Sequence, residues 1–397
     1  MQLKPDTLAL TVMLAFMTAL GPLATDLYLP SLPHIGAALG ASPAAVQLTL
    51  SAYLIGFAGG QIVYGPISDA LGRKPVLIAS FALFNLATLA CALAGSVEML
   101  IIARALQAFG GAGPIILART IVRDLYQGHR AGREMSMMGT IMGITPIIAP
   151  VLGGFLQVWF GWRSVFFTMT AGGVALAAVA LFLVPETNSN RSRLSFAGVL
   201  ESYKIVLAHK GYRAYAAMLS LSYGGLFAFI SASSFVFQGV YGLDEIMFGI
   251  AFGICSVSFV IGTMLGTRIV TRHGFDHTIA VGAACLAVGG AGQWLGAYFL
   301  PQALLAIIVP EMVFFIGIGL VLPQSMAAAM APFPERAGAA SSLVGFVQMV
   351  FASVAGAIVG SFVGGSAMPL VTASALSGLL VFAVFIGTKS LRASQTH

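Results

Sequence analysis

Charge is what this chain lacks. Only 8% of its 397 residues are Asp, Glu, Lys or Arg, where a soluble domain carries about 25%. That shortage excludes an ordinary water-soluble globule. Cysteine is scarce too: Cys91, Cys255 and Cys285 fall inside apolar runs without metal-ligand spacing, which argues against a disulfide scaffold or a thiolate metal site. The histidines (His34, His129, His209, His273, His277, His397) lie in loops or at ends, so no buried imidazole relay is expected. No HExxH, GxSxG or P-loop pattern occurs. No cofactor, no metal and no enzymatic activity are expected.

Apolar residues fill the space: 58% of the chain is hydrophobic. The apolar runs recur at the length of about 20 residues that a helix needs to cross a bilayer. They fall at 8–30, 44–68, 76–95, 99–122, 136–158, 164–184, 213–238, 245–270, 277–299, 302–328, 338–364 and 367–388. The first run exceeds a signal peptide's core and lacks a small-x-small cleavage site, so it reads as a retained helix. The spacing predicts an all-α polytopic membrane protein of twelve transmembrane helices, with the lipid bilayer as its partner.

The net charge of +6 follows the membrane rather than a nucleic acid. With the amino terminus inside, Lys4, Arg73, Lys74, Arg119, Arg123, Arg130, Arg133, Arg191, Arg193, Lys204, Lys210, Arg213, Arg268, Arg272, Arg336, Lys389 and Arg392 fall on the inner side, and Arg163 alone on the outer. The positive-inside rule then predicts both termini in the cytoplasm.

The longest polar stretch divides the chain near its middle. Six spans precede it and six follow, giving an expected amino-terminal bundle (1–184), a cytoplasmic linker (185–210) and a carboxy-terminal bundle (211–397). Within the linker, LSFAGVLESYKIVLAHK has the character of an amphipathic surface helix. In both halves a short, basic, glycine-containing connection follows the second span, GPISDALGRKP (65–75) and GTRIVTRHGFD (266–276). Two repeats with a substrate path between them are expected.

Among the charged residues inside the apolar spans, three are candidates for proton coupling. Arg104 in IIARALQAFGGAG costs about 2.5–3.5 kcal/mol to insert and must face a partner or a watery cavity. It lies roughly 9 Å below the edge marked by Glu98, and Asp26 lies roughly 6 Å from Pro30, at similar depth. Asp26 is the expected protonation site, with Arg104 tuning it. Glu311, after Pro310 in IIVPEMVFFIGIGLVLP, sits roughly 14 Å deep and is a third candidate for proton coupling.

GPISDALGRKP resembles the loop signature of the major facilitator superfamily through Gly65, Asp69, Gly72, Arg73 and Lys74, with Ala70 replacing the usual basic residue. An acid near a helix end, with cations and glycines in register, suits a conformational latch. TDLYLPSLP (25–33), the segment 46–75, RTIVRDLY (119–126), GWRSVF (161–166) and FAFISASSFVF (227–237) are similar to the bicyclomycin/chloramphenicol-resistance branch of drug–proton antiporters. Arg104 falls in a span resembling that family's R-x-x-Q-G motif, although here the glycine, Gly110, comes two residues late. GTIMGITPIIAPVLGG (139–154) resembles the antiporter signature of exporters through Gly139, Gly143, Pro146, Pro150, Gly153 and Gly154.

The resemblance implies a twelve-helix major facilitator fold of two six-helix bundles. It also implies alternating access and proton-driven export of a small-molecule substrate from the cytoplasm. The expectation is a monomeric proton-coupled exporter of small amphiphilic drugs in a bacterial inner membrane. A proton-coupled carrier of one metabolite with the same fold is the alternative. A drug cavity needs apolar walls with a few polar groups. Tyr53, Gln61, Phe227, Phe229, Ser231, Phe346 and Gln348 are the candidates for its lining.

Overall fold

A computed structural model describes residues 8–126, 128–188 and 196–393. Lys4, Arg191 and Arg193, used above for topology, lie outside the described residues. The chain runs α1 (Leu8–Asp26), α2 (Leu32–Leu39), α3 (Pro43–Leu71), α4 (Arg73–Ala92), α5 (Val97–Leu125), α6 (Gly128–Phe160) and α7 (Arg163–Leu183). The linker helix α8 (Phe196–Ala208) follows, then α9 (Lys210–Ser234), α10 (Glu245–Phe299), α11 (Leu305–Met330), α12 (Ala337–Phe362), α13 (Met368–Gly387) and the short α14 (Lys389–Ala393).

Among the described residues, eleven helical stretches are long and apolar enough to cross a membrane. The twelfth span is inside α10, which breaks at Gly274 (φ 79°, ψ 179°). Only glycine adopts that backbone without strain. The break falls between the predicted spans 245–270 and 277–299, so the twelve apolar runs all reappear as helix.

Capping residues set several helix starts. Ser42 accepts from the Ala45 N–H at 3.2 Å, Ser96 from Met99 at 3.2 Å and Asp244 from Met247 at 2.7 Å. Each satisfies a backbone donor that the helix itself leaves unpaired. These three starts lie at one end of the molecule. The basic loops after α3 and after the first limb of α10 lie at the other, here termed the basic end.

Between helices from different halves, small residues allow close approach. A side chain on Gly249 would meet the Pro150 carbonyl at 2.7 Å, and one on Gly154 would meet that of Glu245 at 2.6 Å. This seam between α6 and the first limb of α10 has a counterpart between α3 and α12, where Ser51 and Ser353 exchange hydrogen bonds. The linker helix is not free. Tyr203 on α8 bonds Ser342 on α12 at 3.1 Å, and Val206 is fully buried.

Candidate functional site

Arg104 is fully buried two turns inside α5. Its guanidinium carbon lies 4.7 Å from the Tyr28 ring centre and 4.4 Å from that of Tyr53, with Phe166 at 6.0 Å. Two aromatic faces on a desolvated cation contribute about 1–2 kcal/mol apiece. Its Nη1 donates to the Ala24 carbonyl at 2.9 Å and to Gln107 Oε1 at 2.6 Å, and Gln107 in turn donates to Thr88 at 2.9 Å. Nε and Nη2 have no acceptor. The guanidinium is therefore held in place with donors unspent.

Asp26 closes α1 and is 3% exposed. Its carboxylate accepts from Thr25 Oγ1 at 3.0 Å. No ion pair joins it to Arg104 among the described residues, and their common neighbour is Tyr53. Tyr53 lies within electrostatic reach of both, and Tyr223, from α9 in the other half, within reach of Asp26 and Tyr53. Tyr53 Oη also donates to the Gly21 carbonyl at 3.3 Å. Tyr28 and Gln107 stand within quoted family motifs without being singled out there, and Tyr223 had no motif to announce it. A tyrosine in an apolar span looks like packing until the fold turns it towards a charge.

The remaining expected cavity residues divide. Gln61 abuts Gly345 of α12 and is half-buried, as is Phe346. Phe227 packs beneath Gly356, Ser231 bonds its own helix at Ala228, and Gln348 is 9% exposed. Phe229 is fully buried in a cluster with Phe237, Phe252 and Phe315 inside the carboxy-terminal half. An apolar cavity of about 590 Å³ lies elsewhere, between α1, α6 and α7, with Leu20, Leu27, Phe84, Phe155, Trp159 and Met169 among its walls.

At the basic end, Arg73 pairs with Asp69 and with Asp124 of α5 at 3.0 Å, and donates to Ser68 at 2.8 Å. With Ala70 in place of the usual basic residue, Arg73 is the cation shared by the carboxylates of Asp69 and Asp124. Gly72 has φ 105°, a conformation that favours glycine, whereas a side chain on Gly65 would meet nothing within 4 Å.

The segment after α7 rivets this loop. Glu186 accepts from the N–H groups of Arg73 at 2.9 Å and Lys74 at 3.2 Å, so it caps α4. Thr187 donates to Asp124 at 3.0 Å, and Asn188 donates to the Asp69 carbonyl at 2.9 Å. Burial pushes the Glu186 carboxyl up, but the N–H groups of Asn188, Arg73, Lys74 and Thr187 outweigh it and hold it below its ordinary range.

The exporter-like helix α6 is similarly mixed. Gly153 meets the backbone of Leu27, and Gly154 and Pro150 meet α10. A side chain on Gly139 would find open space, and one on Gly143 only the edge of Val260 at 3.7 Å. Pro146 and Pro150 are carried inside an unbroken helix.

The two halves are joined at the end opposite the basic one. Ser234 donates to the Leu29 carbonyl at 2.7 Å and Gln238 to that of Pro30 at 3.0 Å. His34 pairs with Glu245. Gln238 stands in a π-helical stretch, Phe235–Val240, the kind of irregularity that often marks functional sites.

Comparison with known proteins agrees with this geometry. The family model of the Major Facilitator Superfamily matches residues 14–357. The chain is 30% identical to a bicyclomycin resistance protein homolog of Haemophilus influenzae, over 93% of each chain. It is 31% identical to multidrug resistance protein D of Escherichia coli, over 87% of this chain and 86% of that one. With the chloramphenicol resistance protein of Pseudomonas aeruginosa it shares 29%, over 89% and 83%.

Among solved structures, the nucleoside transporter NupG superposes with a TM-score of 0.76 at 12% identity, covering 96% of this chain and 99% of that one. A partially occluded, inward-open xylose transporter XylE from E. coli superposes at 0.73 and 15% identity, over 96% and 98%. These likenesses establish the fold. The chain belongs to the Major Facilitator Superfamily, in its bicyclomycin/chloramphenicol-resistance branch, and is a multi-pass membrane transporter rather than an enzyme.

Proposed function

We propose that the protein is a proton-coupled antiporter that exports small amphiphilic drugs from the bacterial cytoplasm by alternating access. It sits as a monomer in the inner membrane with its basic end and both termini in the cytoplasm. Residues 1–184 and 211–397 act as two rocking bundles. The names of the relatives, which are resistance proteins for bicyclomycin, chloramphenicol and multiple drugs, support the cargo class. The orientation is supported by the excess of Lys and Arg at one end.

The observation that carries the proton-coupling part is the mismatch at Arg104: two unspent donors on a caged guanidinium, with a buried carboxyl, bonded only to Thr25, on the far side of their shared neighbour Tyr53. With Asp26 protonated, the two need not meet. Once Asp26 loses its proton, an unpaired charge in this setting costs several kcal/mol, and the free Nε and Nη2 of Arg104 become its natural partners. Asp26 lies on the α1 side of the joint with α9, so a shift of its carboxylate towards Arg104 draws it away from Tyr223 and loosens the outer closure. A proton from outside reverses the change and releases drug. Asp69, Arg73 and Asp124 latch the cytoplasmic ends of α3, α4 and α5 in the same cycle.

The test pairs a susceptibility panel, including chloramphenicol and bicyclomycin, in an efflux-deficient bacterium with proton flux in inverted vesicles. Drug addition should move protons through the native chain and not through Asp26→Asn. Normal coupling in Asp26→Asn removes Asp26 from the mechanism. Unchanged susceptibility to every compound points to a carrier of one metabolite.

A further inference from the structure

Glu311 is fully buried inside α11, and neither of its oxygens has a hydrogen-bond partner. Gln293, on the second limb of α10, is its polar neighbour and is equally buried, with both side-chain polar atoms unpartnered. The two amide and carboxyl groups face each other without closing a bond of ordinary geometry. Cys255, on the first limb of α10, lies within electrostatic reach of Glu311. Helix α11 also packs against α9 and α12, and no ion pair to Glu311 occurs among the described residues. An ionised carboxylate in this place would be buried with no counter-charge, at a cost of several kcal/mol. The group is held as the neutral acid.

Its location is not random with respect to the repeats. The helices α5 and α11 are the fourth spans of their halves, and Arg104 and Glu311 each lie about 10 Å inside the same end of them. Tyr53 on α3 and Cys255 on α10 likewise lie at matching depth, each about 15 Å from its helix start. Where the first half buries a cation braced by Tyr53 and Gln107, the second buries an acid beside Cys255 and Gln293. The carboxyl is sealed by a tight seam: side chains on Gly289 and Gly292 would strike Pro310 at 2.7 and 3.1 Å. Water reaches Glu311 only if α11 moves against α10.

We propose that Glu311, with Gln293 beside it, is a second proton-carrying site, filled while the carrier is closed to the outside and emptied to cytoplasmic water when α11 shifts against α10. On release the O–H proton passes to water, and the carboxylate left behind accepts from the Gln293 amide. The proposal rests on the antiport reading in one respect only: the proton held here is one of those exchanged for drug.

The test uses the full chain in lipid nanodiscs, titrated while infrared difference spectra follow the carbonyl stretch of protonated carboxyl groups. One titrating band should vanish in Glu311→Gln and a different one in Asp26→Asn. Glu311→Asp should keep a titrating band, and Gln293→Leu should move the midpoint of the Glu311 band upward, because the ionised form loses its donor. A merely structural carboxyl would show neither effect. In proteoliposomes with chloramphenicol as probe, Glu311→Gln should lower the protons moved per drug by roughly half. A Glu311 band that never titrates, or a native proton count in Glu311→Gln, overturns the proposal. Failure of the antiport reading looks different: no drug-driven proton movement in the native chain, whatever the infrared bands do.

Discussion

Ser51 and Ser353 each donate a hydrogen bond to the other's backbone carbonyl, at 3.0 and 2.9 Å, across the joint between the two halves. The exchange is self-complementary, as expected where two related repeats meet near their common axis. Each bond is worth about 1 kcal/mol net. Removing either hydroxyl with Ser51→Ala or Ser353→Ala should therefore raise the outward-open population about fivefold. Labelling of a cysteine introduced near the outer closure measures it. Additive effects in the double variant would mean that the two bonds act independently.

The aromatic cage makes a sharper prediction. Tyr53→Phe keeps the ring under Arg104 and loses only the long bond to Gly21, so transport should stay near native. Tyr53→Leu removes the π face and should lower drug-driven proton flux about tenfold, in line with a cation–π loss of 1–2 kcal/mol. Arg104→Lys should be as harmful as a neutral substitution, since an ammonium cannot stack or offer donors in a fixed plane. Vesicle proton flux ranks all three.

Glu186 gives a pH dependence with a defined sign. Its carboxyl in the folded chain titrates below its unfolded value. The capping bonds to Arg73 and Lys74 are thus fully present above the ordinary carboxylate range, near 4.3, and are lost as pH falls through the lower folded value. Acid should loosen the rivet, and neutral pH should leave it intact. Glu186→Ala should mimic acid at neutral pH, costing roughly 1 kcal/mol of stability. Hydrogen exchange at the Arg73 and Lys74 amides reads both effects.

The glycines of α6 should not behave alike. Gly154→Ala drives a methyl group into the backbone of Glu245, and Gly249→Ala does the same to Pro150 from the opposite side. Both should part the α6–α10 seam and cut transport at least severalfold. Gly139→Ala meets open space and should be silent, or slightly favourable, because alanine is the better helix former by about 1 kcal/mol. A detrimental Gly139→Ala would mean that this position is packed only in another state of the cycle.

These contrasts mark what the sequence could and could not say. Bilayer thickness imposes a length on every span, so the twelve runs were readable, and even the break at Gly274 fell between two of them. Arg104, Asp26 and Glu311 were readable because charge in an apolar run is rare. Their partners were not. Tyr28, Tyr223 and Gln293 are residue types that membrane helices use freely, and only the fold turns them towards a charge. Motif glycines were readable as motif and not as geometry: Gly72 and Gly154 are held by a turn and a close approach, whereas Gly65 and Gly139 stand in open space. Glu186 resembled an ordinary acid at a span boundary.

The rivet at Glu186–Asn188 has a mechanical side. The backbone that leaves Asn188 continues to α8, and Tyr203 of α8 is fastened to Ser342 at the start of α12. One covalent strand thus begins as a clamp on one half of the molecule and ends as a strut on the other. If the halves rock against each other as proposed, the motion is felt at both fastenings, the turn containing Arg73 and the start of α12. Loosening either one would free the connection from one half of the molecule.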